Sequence, residues 1–148
     1  MRTKLLVLAA ALAPVAAFAA GGEVHLDAAN VDVTNKASLQ RGAANFVNYC
    51  LGCHSAQYVR YNRMAADIGI TEQQLIDNLM FTTDSPHQTM RIGIKPEDAK
   101  RWFGVVPPDL SLIARSRGAD YVYTFLRSFY ADPAKASGWN NTVLPGTA

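Results

Sequence analysis

Cys50-Leu51-Gly52-Cys53-His54 contains both cysteines of the 148-residue chain, and a histidine directly follows the second. Cys-x-x-Cys-His is the attachment signature of a c-type haem. The chemistry explains the spacing. Each thiol can add to one vinyl group of a porphyrin and form a thioether, and a two-residue gap on a short helical turn matches the separation of the two vinyls. The next residue, His54, then points under the ring, where its imidazole can ligate iron. One covalent haem c, held by Cys50 and Cys53 with His54 as the metal ligand, is the reading that uses all three residues. A thioredoxin-like redox pair needs a βαβ setting, and the sequence shows none. A structural zinc site needs four ligands. There is no second cysteine pair, and His25 and His87 stand at no finger-like spacing. A plain disulfide leaves His54 without a role.

Upstream, Arg2 and Lys4 precede an apolar run from Leu5 to Ala13, and Ala17-Phe18-Ala19 fits the small-x-small cleavage rule. Residues 1–19 read as a secretory signal peptide, and 20–148 as one domain. A membrane anchor is the alternative. Pro14 interrupts the run and polar sequence begins at Gly21, short of the ~20 apolar residues a span needs. Export to the periplasm agrees with haem attachment, because covalent c-type haem is fitted outside the bacterial cytoplasm. The thiols must reach it reduced although that compartment favours disulfides. Without Arg2 and Lys4, the 14 basic residues become 12, against 12 acidic ones. No basic run marks a nucleic-acid face, so no nucleic-acid partner is expected. No second long apolar segment follows the leader, so the rest of the chain shows no membrane span.

Gly21 to Lys36 has no period and reads as an extended lead-in that wraps the domain, with His25 a surface residue. Ser38 to Tyr49 reads as a helix with Ser38 as N-cap, carrying Leu39, Ala43, Phe46 and Val47 on one face. Gly42 weakens it unless another backbone comes close, which suggests a second helix crossing there. Tyr58 to Met64 reads either as aromatics and arginines at a haem edge or as a solvated connector. Thr71 and Gln74 fit a capping box, followed by an apolar stripe of Leu75, Ile76, Leu79 and Met80. Phe81 to Ile94 reads as a loop, and its His87 and Met90 as loop residues rather than iron ligands. Pro96 opens a helix with acids at its start and bases at its end, and Gly104 stops it. Asp109 is the expected cap of a helix carrying Leu110, Ile113 and Ala114, closed by Gly118. Asp120 is the expected cap of a last helix reaching about Tyr130, with Val122, Phe125, Leu126 and Phe129 as its stripe. Ala134 to Ala148 reads as a loop. No segment alternates, so no sheet is expected. The fold class is all-α: four or five short helices and long loops around one haem, with an apoprotein that buries too little apolar surface alone.

These residues resemble the cytochrome c1 subunit of quinol–cytochrome c oxidoreductase (bc1) complexes, bacterial members above all. Ser38-Leu39-Gln40-Arg41-Gly42, Tyr49-Cys50, Cys53-His54-Ser55 and Tyr58-Val59-Arg60-Tyr61 carry part of the likeness. The most diagnostic run is Pro107-Pro108-Asp109-Leu110-Ser111, then Arg115-x-Arg117, then Asp120-Tyr121-Val122. The resemblance implies a class I cytochrome c-like domain in the respiratory chain, on the periplasmic side of the inner membrane. It implies that Pro108 lines the haem pocket, Arg117 pairs with a haem propionate, and Tyr121 packs at the same edge. It implies cytochrome b and a Rieske iron–sulfur protein as partners, soluble cytochrome c as acceptor, and no catalytic site on the chain itself. The family's second axial ligand is a methionine that should follow Ala148 almost at once; Met64, Met80 and Met90 stand elsewhere. A helix to cross Gly42 and a C-terminal anchor should follow too, so the sequence is expected to be incomplete at that end. The rival readings are a free periplasmic class I cytochrome c and a non-haem thiol-redox module.

Overall fold

The computed structural model describes residues 24–147, so the expected signal peptide of residues 1–19 lies outside the described residues. Helix α1 (Lys36–Asn45) starts earlier than expected. Asn35, not Ser38, is its cap: the Asn35 side chain accepts from the Ser38 amide and so draws the first turn back by three residues. The helix then widens into one π-type turn, Phe46–Cys50, where the Leu51 amide bonds the Phe46 carbonyl at 2.9 Å. Such i→i+5 turns are rare and recur at functional sites. Gly42 is exposed, and a Cβ there would meet nothing within 4 Å, so no described segment crosses it.

The fold is mostly helices and loops, as the all-α class implies, but two small antiparallel sheets correct the expectation of no sheet. β1 (Ala56–Arg60) pairs with β2 (Thr89–Met90), and β3 (Phe129–Ala131) pairs with β4 (Trp139–Asn141). The first pair is irregular, with Ala56 opposite Met90 and Arg60 opposite Thr89. Strands this short leave no alternation to read. β1 leads straight into α2 (Tyr61–Ile68), so the supposed connector is a strand and a helix. Its arginines are engaged: Arg60 donates to the His87 carbonyl, and Arg63 pairs with Asp67.

α3 (Glu72–Leu79) carries both halves of the expected capping box at Thr71 and Gln74. Of its stripe, Leu75 and Leu79 are buried, but Ile76 is exposed. α1, α2 and α3 pack around a core of Val47, Leu51, Tyr61, Ala65, Leu75 and Met90. Met90 is thus a core residue; Met64 and Met80 pack against the same cluster. α4 (Pro96–Phe103) has the expected charge order and ends at Gly104 in a left-handed cap, φ 74°.

α5 (Ile113–Arg117) and α6 (Ala119–Arg127) are separated by Gly118, whose φ of 90° favours glycine. Neither expected acid caps its helix. Asp109 lies before the α5 cap, Leu112, and binds elsewhere. Asp120 sits inside α6, where its carboxylate accepts from the Ala29 amide at 2.7 Å. The Asp27 amide also donates to the Thr124 hydroxyl, so the lead-in does wrap the domain. α6 stops at Arg127, and Leu126 and Phe129 are exposed. Tyr121 and Phe125 of α6 and Phe129 of β3 form an aromatic row instead.

Candidate haem-attachment site

The π-type turn ends at Cys50, and the chain then closes tightly. Cys53 and His54 both donate their amides to the Cys50 carbonyl, at 3.0 and 2.8 Å. The turn is not a free loop, because Leu51 is 1% exposed and belongs to the core. Burying Leu51 fixes the backbone from which the two thiols project. Both thiols are free, Cys50 half-buried and Cys53 exposed. Burial raises the Cys50 pKa above the ordinary thiol value.

His54 is half-buried, and its Nδ1 lies 2.8 Å from the Pro108 carbonyl oxygen. A carbonyl can only accept, so Nδ1 carries the proton and Nε2 carries the lone pair. This is the tautomer an Nε2 metal ligand requires. Pro108 meets His54 through its backbone carbonyl.

The Pro108–Ser111 run lies along residues 54–58 and is tied to them at every step. The Leu110 amide donates to the Ser55 carbonyl at 2.8 Å, the Gln57 amide to Asp109 Oδ2 at 2.9 Å, and the Tyr58 amide to Ser111 Oγ at 3.1 Å. Asp109 Oδ1 also accepts from the Ser111 amide at 2.9 Å. Burial alone raises the Asp109 pKa. The hydrogen bonds from Ser111 and Gln57, with the charge of Arg91, outweigh it and hold the carboxyl below the usual range. Ser55 Oγ accepts from the Ile92 amide and ties in the strand that carries Met90. Sequence reasoning missed Ser55 and Ser111, and it took Asp109 for a helix cap. The Pro-Pro-Asp-Leu-Ser run was the available signal: two prolines hold it extended, the form that can lie along another strand.

Arg117 and Tyr121 form a second group. The Arg117 guanidinium stacks 5.4 Å over the Tyr121 ring, which is itself stacked on Phe125 at 6.2 Å. Among the described residues no hydrogen bond or ring contact joins this pair to Cys50, Cys53, His54 or Pro108. Nor does Arg117 meet a carboxylate among them. No group of three or more His, Cys, Asp or Glu gathers as a metal site among the described residues.

A small helical domain that offers two thiols and a pre-set imidazole from one turn is built as c-type cytochromes are. Residues 28–147 match the Cytochrome C1 family, and the chain belongs to that family. It is 50% identical over 145 residues to the cytochrome c1 of Allochromatium vinosum, an alignment spanning 98% of this chain and 59% of that protein. It is 49% identical over 145 residues to a Nitrosomonas europaea protein named ammonia monooxygenase gamma subunit, spanning 98% of this chain and 62% of that one. A mitochondrial cytochrome c1 of Solanum tuberosum is 30% identical over 119 residues, spanning 68% of this chain and 46% of that protein. The chain thus spans about three-fifths of the length of the first two relatives. Proteins of the family carry one covalently bound c-type haem, and the donor set found here fits it.

Proposed function

We propose that this chain is the haem-bearing part of the cytochrome c1 subunit of a bacterial quinol–cytochrome c oxidoreductase. It takes electrons from a Rieske iron–sulfur protein and hands them to a soluble cytochrome c, in a complex with cytochrome b. It works on the periplasmic side of the inner membrane after export on residues 1–19. The observation that carries this reading is the His54 Nδ1–Pro108 carbonyl bond beside two free thiols on one turn. When bound, the haem supplies a one-electron iron couple. The chain's own residues do the rest. Cys50 and Cys53 fix the cofactor, and His54 presents Nε2 to the iron. Pro108 holds the proton on Nδ1. Arg117, free of carboxylates among the described residues and steadied by the Tyr121 face, offers a fork of donors to a propionate. Trp102, Phe103, Val105, Val106 and Leu112, on either side of Pro108, expose apolar surface that a prosthetic group can cover.

The Nitrosomonas relative's name suggests a different partner, so the test has two parts. The first is periplasmic expression with haem maturation and a pyridine derivative spectrum. Two saturated vinyls support the attachment residues, and a colourless protein overturns the haem reading. The second is affinity purification of the complete protein from its native membrane. Co-purifying cytochrome b and Rieske subunits support the proposal, whereas ammonia monooxygenase subunits in their place overturn it.

A further inference from the structure

The geometry points to Asp109 as a positioning residue that sets the haem potential through His54, resting on the haem reading above. Asp109 does not touch His54. Its two carboxylate oxygens each accept one backbone amide, from Gln57 on β1 and from Ser111 on its own segment. One side chain therefore fixes two stretches at once: the strand that continues from His54, and the run that begins with Pro108. The Leu110–Ser55 and Ser111–Tyr58 bonds flank it on the same pair of stretches. The separation between the His54 ring and the Pro108 carbonyl is set by how these two stretches lie together. That bond decides how much electron density the imidazole gives the iron. A firmer Nδ1–H···O bond makes Nε2 a stronger donor, favours the ferric state and lowers the potential. A carboxylate that supports a ligating histidine usually meets it directly; here it acts at one remove, by holding the carbonyl that does. Both oxygens are engaged, so neither an amide nor a longer acid can reproduce the bridge. An asparagine side chain would offer one acceptor where two are needed, and a glutamate would carry its oxygens one methylene too far.

The test uses the haem-loaded protein and the variants Asp109→Asn, Asp109→Glu and Ser111→Ala. A pyridine spectrum first establishes that haem is attached in each. The midpoint potential and the exchange rate of the His54 Nδ1 proton, followed by NMR in the reduced state, are then measured. Positioning requires a raised potential in both Asp109 variants and exchange on the order of tenfold faster. Asp109→Asn alone raising the potential, with exchange unchanged, means that only the negative charge acts and overturns the proposal. Unchanged potential and exchange in both variants overturn it too. Where an Asp109 variant fails to fold, Ser111→Ala decides, because it removes the neighbouring tie and leaves the carboxylate: a smaller shift in the same direction supports the proposal, and none refutes it. A wild-type protein without haem would instead remove the functional reading on which the proposal stands.

Discussion

Replacing Leu51 by alanine tests whether the haem turn is held from inside the domain. Leu51 lies between the two cysteines, yet it is 1% exposed and packs in the core with Val47, Tyr61 and Met90. The substitution removes three carbons. At about 0.8 kcal/mol each the transfer loss is about 2.4 kcal/mol, and the cavity left behind raises it to about 3–5 kcal/mol. Against a total of about 5–15 kcal/mol, that is a large share. With an m-value of about 1–3 kcal/mol/M the urea midpoint should fall by roughly 1–5 M. Gly52, one residue on, is the control. It is exposed, has no positive φ, and a Cβ there would meet no protein atom within 4 Å. Gly52→Ala should shift stability by less than about 1 kcal/mol. The assay is urea unfolding of the haem-loaded variants, with haem per chain measured alongside. A Leu51→Ala protein within about 1 kcal/mol of wild type, with full haem, would refute the idea that the core fixes the turn.

Two further outcomes are expected. Asn141 is fully buried; its amide donates to the Phe125 carbonyl at 2.8 Å, and its oxygen accepts from the Val143 and Leu144 amides. Asn141→Ala orphans all three groups and should cost about 3 kcal/mol, with Trp139 fluorescence on β4 reporting early loosening of the β3–β4 end. Asp109, held below its unfolded value, contributes stability that is complete above that value and lost as pH falls through the folded one. Asp109→Asn should therefore flatten the fall in stability below about pH 4, measured by urea midpoints across an acid series. Part of the slope should remain, because the Thr34 side chain holds Asp32 low and the Asn140 side chain holds Asp132 low. An unchanged slope would show that the Asp109 bridge contributes nothing to folding.

What the sequence made legible was local. The Thr71–Gln74 box and the Pro96-to-Gly104 helix depend on neighbours within a few residues and stand as expected, and the Cys-x-x-Cys-His run closes as a tight turn. Apart from the Ser38 cap, displaced locally by Asn35, the main errors share one cause: a distant partner took a group whose local use looked sufficient. Asp109 and Asp120 both precede apolar runs as a good N-cap does. Gln57 claimed one, 52 residues away, and Ala29 the other, 91 residues away. The strands failed for the same reason. Ala56–Arg60 shows its inner and outer faces only when Thr89 and Met90 lie beside it. Arg117 and Tyr121 were named through the family resemblance; their stacking on one another, from two helices on either side of Gly118, is a contact that their spacing alone did not state.

His54 owes its setting to two parts of the chain that are far apart in sequence. Its backbone belongs to the turn that Leu51 anchors in the α1–α3 core. Its Nδ1 partner, Pro108, opens the segment that leads into α5 and α6, with their own aromatic row. Neither part alone orients the imidazole. A chain that lost the Pro108–Ser111 ties could still keep its two thiols on one turn and accept a cofactor there, because that turn is closed by bonds to the Cys50 carbonyl and anchored by Leu51 in the core, without residues 108–111. Attachment and ligand orientation are thus separable in this fold. The first is secured by the turn and its Leu51 anchor, and the second depends on residues 108–111 lying against 54–58. Variants of the second segment should therefore leave haem content intact while moving the properties of the iron, and variants of Leu51 should lower both.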